Sequence, residues 1–305
     1  MQIIMTKRKS AVLSGSTLAC LSSIPTINVT LGCAHDCVYC YGKTYKCYPG
    51  EGKLLVYSNL LEKARAELQR KHRRPPCVYF CPSCDPFQPL PGVLDVSYGL
   101  MEFFLGEGAG ITFLTKARVP ERFVRLFERH PGCVSGQVGL TALDEDLLRL
   151  TEPMAASPKE RLAGMSELSG IGVPVAIRLD PIWPALTDTE ACLDELLKAA
   201  KQNGAKAVAA SYLFLRPKLK RPVFGALAKL GASGTAAKGI LEKAEQLNIR
   251  AEGSSVLALP AEYRKAGYAR VKACAERYGL PCRICGCKNC DLTAEMCGLG
   301  RQVAG

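Results

Sequence analysis

The chain has 305 residues, 48% of them apolar, a net charge of +12 and 16 cysteines. No apolar run approaches the ~18 residues that cross a bilayer, which argues against a helical membrane protein, and the length is far beyond that of a small secreted disulfide scaffold. What remains is a globular chain of one large or two ordinary domains, with thiols suited to metal in a reducing cytoplasm and a basic surface that serves either solubility or an acidic partner such as nucleic acid.

Residues 1–23 read as an irregular, basic lead-in. Lys7-Arg8-Lys9 before Ala11–Cys20 has the outline of a signal peptide, but Ser14, Gly15, Ser16 and Thr17 break the apolar run, and no export signal is expected. Thr26–Leu31 has the composition of a strand. A cysteine-bearing loop follows it, and Gly42–Lys53 continues as loop, with Pro49 opposing helix. From Ser58 as cap, Leu60, Leu61, Ala64 and Leu68 share one helical face up to about His72. Arg70-Lys71-His72-Arg73-Arg74 closes that helix, where cations either complement its dipole or meet nucleic acid. Strands then read at Val78–Cys81, Ile111–Thr115, Val134–Leu140, Val173–Leu179 and Ala205–Ala210. Helices alternate with them at Tyr98–Leu105, Val119–Glu128, Asp144–Leu150, Pro158–Ser169 and Asp188–Gln202. This alternation predicts parallel strands with crossover helices, an α/β sheet or barrel over 24–221. Phe224–Leu230, Thr235–Leu247 and Pro260–Tyr278 read as helices, so 222–305 is expected to be a helical extension ending in a cysteine-rich tail.

Cys33-Ala-His-Asp-Cys37-Val-Tyr-Cys40 places three thiols at C-x3-C-x2-C spacing. Thiolates are soft ligands that suit iron–sulfur clusters and zinc. Three of them can hold three corners of a cubane and leave the fourth iron open, and an open metal position is where a substrate or cofactor coordinates. Cys77, Cys81 and Cys84 repeat the spacing. The strand residues between Cys77 and Cys81 span about 13 Å, too far for one cubane, so no second cluster is expected there. His35 is read as a solvated loop residue, with a metal-ligand role as the alternative.

The spacing, with aromatic Tyr39 before the third cysteine, resembles the signature of the radical S-adenosylmethionine (SAM) superfamily. The fuller run from Asn28 to Tyr41 (NVTLGCAHDCVYCY) and the stretch Asp85-Pro-Phe-Gln-Pro89 are similar to the spore photoproduct lyase-like group. The resemblance implies a partial (β/α)6 barrel, a [4Fe–4S] cluster on Cys33, Cys37 and Cys40, and SAM bound at the open iron and cleaved reductively to a 5′-deoxyadenosyl radical. It also implies a reductase or ferredoxin-type electron donor. The family's segment after the second strand contacts the methionine ammonium, which points to Ser83 or Asp85, although this chain has Cys81-Pro-Ser-Cys-Asp-Pro86 where a glycine-rich sequence is usual.

Catalytic groups of α/β barrels gather at the C-terminal ends of the strands. There Arg178 offers a planar fork for the SAM carboxylate, or an ion pair with Asp180 or Glu152 instead. Lys116 is a second cation for the carboxylate, and Tyr39 a surface for the adenine. Cys84 is either a hydrogen-atom donor to a product radical, the use a cysteine has in photoproduct lyase, or a buried small hydrophobe.

The tail carries Cys282-x2-Cys285-x-Cys287-x2-Cys290, with Cys297 beyond it, and Gly286 permits a tight reversal. These spacings suit a second [4Fe–4S] cluster or zinc, with metal-free thiols as the remaining reading. Arg216–Arg221 is a basic run that either contacts phosphates or is solvated. The expected function is radical SAM chemistry on an unidentified substrate, nucleic acid among the possibilities. The rival is a non-catalytic iron–sulfur or zinc protein that binds nucleic acid.

Overall fold

The computed structural model describes residues 1–16, 21–249, 255–293 and 295. Cys297 and part of the Ala11–Cys20 run lie outside them.

The chain opens with β1 (Gln2–Thr6), where an irregular segment was expected. It pairs in parallel with β4 (Lys53–Tyr57), a strand that the sequence reading leaves out. The single strand expected over Thr26–Leu31 is two. β2 (Thr26–Ile27) joins the large sheet, while β3 (Thr30–Leu31) turns away and pairs antiparallel with β4. The switch falls at Asn28, whose side chain accepts from the backbone N–H of Ser83 at 3.0 Å and so is spent on the next strand's loop.

Next come α1 (Leu60–Gln69), β5 (Cys77–Phe80), α2 (Pro91–Gly106), β6 (Gly110–Thr115), α3 (Glu121–Glu128) and β7 (Val134–Gly139). α4 (Glu145–Thr151), α5 (Pro158–Gly170), β8 (Val175–Ile182), α6 (Glu190–Gln202) and β9 (Ala207–Tyr212) complete the alternation. The helix starts are chemically specified. Asp144 accepts from the Asp146 and Leu147 N–H groups, and Ser157 and Glu160 form a reciprocal capping box.

The large sheet is parallel, in the order β12-β9-β8-β7-β6-β5-β2. The architecture is a partial (β/α) barrel. Six of its strands are those expected, and a seventh, β12 (Cys282–Ile284), comes from the cysteine-rich tail. Between β9 and β12 lie α7 (Lys220–Ala228), α8 (Gly231–Leu241), the hairpin β10 (Glu245–Asn248) with β11 (Ser255–Ala258), and α9 (Ala261–Arg277). The helix expected to reach Leu247 therefore stops at Leu241. Leu247 sits in a strand because it packs with Phe214, Ile249 and Val256 in a small separate core, and tertiary contact overrides local propensity.

Side chains alternate across each strand. Val78, Phe80, Ile111, Phe113, Val138, Ile177 and Val208 belong to the main core beneath the helices. There Phe87 meets Phe113 and Phe123 edge-on, each at 5.0 Å between centroids, a geometry worth about 0.5–1.5 kcal/mol per pair beyond area burial. The alternate positions Thr112, Ser135, Gln137, Arg178 and Ser211 are buried and polar. The barrel interior thus carries polar and charged groups beside a small apolar cluster of Leu21, Ile24, Cys77 and Tyr79.

Candidate active site

The cysteine loop leaves β3 through Gly32, whose φ of +83° no L side chain adopts easily and whose absent Cβ would lie 3.1 Å from the Lys53 carbonyl. Asp36, also at positive φ (52°), turns the chain between Cys33 and Cys37 and is held by Lys43 at 2.5 Å. Cys33, Cys37 and Cys40 line one cleft together with Thr30, Lys43 and Ser83. Gly42 lets the loop close against its neighbour, since a Cβ there would lie 3.3 Å from the Ser83 carbonyl and 3.4 Å from Cys40 Sγ.

Burial pushes all three thiols up, Cys37 to about 12. The charge of Asp85 adds to the effect at Cys33, and that of Glu152 at Cys37. Burial outweighs the charges of Lys116 and Arg161 at Cys37 and of Lys43 and Lys116 at Cys40, and a bound metal cluster would supply the further positive charge that buried thiolates need. Among the described residues no three Cys, His, Asp or Glu groups stand where they could grip one metal ion. Single-zinc ligation brings thiolates to within about 3.8 Å of one another, whereas cubane thiolates each bind a different iron and stand further apart.

Beneath the loop lies a buried polar group. Glu152 is fully buried, ion-paired with Arg161 at 2.6 Å and 4.0 Å from Lys116 Nζ, and it accepts a short hydrogen bond from the Tyr39 hydroxyl. Burial alone would raise its pKa, but the Arg161 and Lys116 charges and the Tyr39 bond hold it below the ordinary range. Lys116 Nζ sits 5.8 Å from the centre of the Tyr39 ring. The other neighbour of Tyr39 is the edge of Trp183, at 5.7 Å between centroids.

Asp85 is buried and heavily engaged. It accepts from Thr115 Oγ1 at 3.0 Å, from the Lys116 N–H at 2.8 Å and from the Phe87 N–H at 2.9 Å. His35 Nε2 stands 3.1 Å from its Oδ2. His35 is therefore a buried strut between the cysteine loop and the β5 loop, with Nδ1 3.2 Å from the Met154 carbonyl. The expectation of a solvated His35 is corrected, because Asp85 and a carbonyl offer it partners that water would otherwise supply.

Of the predicted site residues, Cys33, Cys37, Cys40 and Ser83 line the cleft, Lys116 stacks over Tyr39, and Asp85 ties the Lys116 backbone to this end of the barrel. Cys84 lies close enough to Cys33 for their charges to interact, with Sγ 3.6 Å from Asn28 Oδ1. Arg178 stands apart in the interior. It donates to Gln137 at 3.0 Å and to Asp180 at 2.8 Å, and Lys288 from the tail reaches the same Asp180 at 2.6 Å. Of the two ion-pair partners open to Arg178, Asp180 is the one used. In the tail, Cys282 lies on β12, Cys285 and Cys287 are buried with Leu21, Ile24, Cys77 and Tyr79, and Cys290 Sγ is 3.5 Å from the Asn248 carbonyl.

Sequence reasoning missed Arg161 and Lys288, and gave Glu152 only as an alternative partner for Arg178. Glu152 lies 113 residues from Tyr39 and Lys288 lies 108 from Asp180, separations at which no spacing signal survives.

A family model, the Radical SAM superfamily, matches residues 27–200. An uncharacterised protein of Mycobacterium tuberculosis is 29% identical over 219 residues, which is 68% of this chain and 64% of that protein. One of Methanocaldococcus jannaschii is 25% identical over 171 residues, 55% of this chain and 64% of its own length. The match thus spans less than two thirds of these relatives. Among solved structures, spore photoproduct lyase with bound AdoMet and dinucleoside spore photoproduct superposes with a TM-score of 0.69 at 18% identity, over 92% of this chain and 81% of that one. A radical SAM methyltransferase from Sphaerobacter thermophilus gives 0.53 at 18% identity, over 92% and 71%. No helix among the described residues is long and apolar enough to cross a membrane. The family match runs from β2 through the cysteine loop to α6, and with it the chain belongs to the radical SAM superfamily, on a barrel of the spore photoproduct lyase form.

Proposed function

We propose that the chain is a radical SAM enzyme that takes a hydrogen atom from an unactivated C–H bond of a nucleic-acid substrate. The observation that carries the reading is the cleft in which Cys33, Cys37 and Cys40 meet Ser83, beside the Lys116–Tyr39–Glu152 group. When bound, a [4Fe–4S] cluster and SAM supply reductive cleavage to a 5′-deoxyadenosyl radical. The three thiols would hold that cluster. Lys116, oriented by Glu152, presents a cation to the SAM carboxylate, and the Tyr39 ring bounds the adenine side. Asp85 positions the Lys116 backbone through its own hydrogen bonds, and Ser83 faces the ligand. Cys84 returns a hydrogen atom to the product radical from its S–H. Arg178, with Asp180 and Lys288, forms a charged floor for the substrate. The net charge of +12 and the likeness to a fold that binds a dinucleoside photoproduct support the substrate class, and a ferredoxin-type partner supplies the electron. Cys282, Cys285, Cys287 and Cys290 would be the ligand set for a second cluster in the tail.

The test is anaerobic. Protein reconstituted with iron and sulfide, then given dithionite and SAM, should release 5′-deoxyadenosine. The Cys33→Ala/Cys37→Ala/Cys40→Ala protein should release none. Product from that variant overturns the reading, as does a well-loaded wild type that gives no product and no SAM-dependent change in its EPR signal.

A further inference from the structure

Cys81 and Cys84 bracket Pro82-Ser83 as a C-x2-C unit, the spacing of redox-active dithiols. Cys81 follows the last residue of β5 with φ at 59°, a left-handed conformation that a non-glycine residue holds at a cost. Its N–H is fixed to the Ile27 carbonyl at 2.7 Å. The turn brings Cys84 back toward Cys81, with Cys84 Sγ 3.6 Å from Asn28 Oδ1 and the two thiols near enough for each to act on the other's charge. Cys81 is 2% exposed, whereas Cys84 is half-buried. Ser83, between them, lines the cleft of Cys33, Cys37 and Cys40, which puts the pair at its rim.

We propose that Cys81 and Cys84 form a redox couple, a dithiol that delivers a hydrogen atom and an electron at the site and closes to a disulfide. The proposal rests on the reading of Cys84 as hydrogen donor and adds Cys81 as its partner. The Cys84 S–H bond breaks as its hydrogen atom passes to the product radical, leaving a thiyl radical. Cys81 then loses its proton to solvent and bonds to the thiyl sulfur as a three-electron disulfide radical anion. That species gives one electron to a ferredoxin-type acceptor and becomes the disulfide. Two S–H bonds have become one S–S bond, one hydrogen atom in product, one proton and one electron. A dithiol reductant reopens the pair by thiol–disulfide exchange.

The experiment needs no substrate. Reconstituted protein is equilibrated anaerobically in mixtures of reduced and oxidised glutathione, quenched, alkylated and digested, and fragmentation locates the modified thiols. The expected result is a loss of two hydrogens placed on Cys81 and Cys84 rather than Cys77, restored by excess dithiothreitol, with iron content unchanged. In the Cys81→Ser protein, Cys84 should carry glutathione instead. Absence of the intramolecular disulfide at every glutathione ratio overturns the couple, as does its appearance only when iron is lost. The donor role is read separately, as deuterium entering 5′-deoxyadenosine during SAM cleavage in D2O without substrate. Deuterium that falls in Cys84→Ala supports the donor, and without the disulfide it leaves the donor standing and removes the couple. A disulfide with deuterium indifferent to Cys84→Ala removes the donor and with it the catalytic use of the pair.

Discussion

Asp180 accepts from two cations inside the barrel, Arg178 from its own strand and Lys288 from the tail. Burial alone would raise its carboxyl, but the Lys288 and Arg178 charges outweigh that and hold it at about 2. A carboxylate depressed in the folded state contributes stability above its unfolded pKa of about 4 and loses it as pH falls toward the folded value, a shift worth on the order of 2 kcal/mol. Asp180→Asn leaves buried Arg178 and half-buried Lys288 without their carboxylate, so at neutral pH it should destabilise by about 3 kcal/mol. That deficit should shrink as pH drops from about 4 to 2, where the wild type also loses its charge. Urea unfolding of both proteins across that interval measures it, and a deficit constant with pH would refute the ion-pair account. Lys116, whose Nζ lies 4.0 Å from Glu152 and over the Tyr39 ring, is proposed to meet the SAM carboxylate. Lys116→Met should weaken SAM binding by roughly tenfold to a hundredfold, the loss expected for a hydrogen bond to a charged group. Calorimetric titration of SAM into reconstituted protein reads the change. The meeting of Cys33, Cys37 and Cys40 at one cleft was legible because all three come from one short loop. Glu152, His35 and Lys288 act through partners far along the chain, and single-residue chemistry does not say which of many acids or bases will meet.

At the scale of elements, the alternation of strand and helix was readable because each carries its own period and its own caps. The elements that escaped were short or changed allegiance. β1 and β4 are five residues each and pair in a small sheet that β3 completes, and the β2–β3 break at Asn28 is set by the Ser83 N–H it accepts. Helix α9 shows how tightly elements can be fitted without any signal in the sequence. A Cβ at Gly267 would fall 1.8 Å from the Tyr212 hydroxyl, so α9 lies on β9 only because residue 267 is glycine. That hydroxyl donates to Asp188 at 2.9 Å, as does the hydroxyl of Tyr263. Gly267→Ala gains helix propensity of about 1 kcal/mol but must displace a buried, hydrogen-bonded tyrosine. The overpacking cost of about 1–3 kcal/mol or more should prevail. Denaturant unfolding should therefore show net destabilisation, whereas a stabilised Gly267→Ala protein would mean that α9 can lift off the sheet freely.

For the whole molecule, the decisive fact is that the tail completes the barrel. β12 pairs with β9, in register from Cys282 with Val208 to Ile284 with Ala210. Cys285 and Cys287 then pack across the open seam against Leu21, Ile24 and Tyr79. Lys288 serves Asp180, while Asn289 and Asp291 both accept from buried Arg264 at 3.0 Å. Sequence pattern alone presents these residues as a metal knuckle, because cysteine spacing is conspicuous and a three-residue strand is not. The two views predict different behaviour. Ending the chain before Pro281 strips β9 of its partner, uncovers the apolar seam, and leaves Arg264 and the Arg178–Asp180 pair without their tail contacts. Each broken buried pair costs about 3–5 kcal/mol, and a domain's whole stability is about 5–15 kcal/mol, so the truncated protein should unfold or aggregate. Full-length protein with Cys282→Ser/Cys285→Ser/Cys287→Ser/Cys290→Ser keeps the strand and the ion pairs and should remain folded, with a lowered melting temperature. Thermal melts and size-exclusion chromatography on the two proteins decide it. A tail that acts only through metal requires both to fail alike, and a tail that is a mere appendage requires both to melt like wild type.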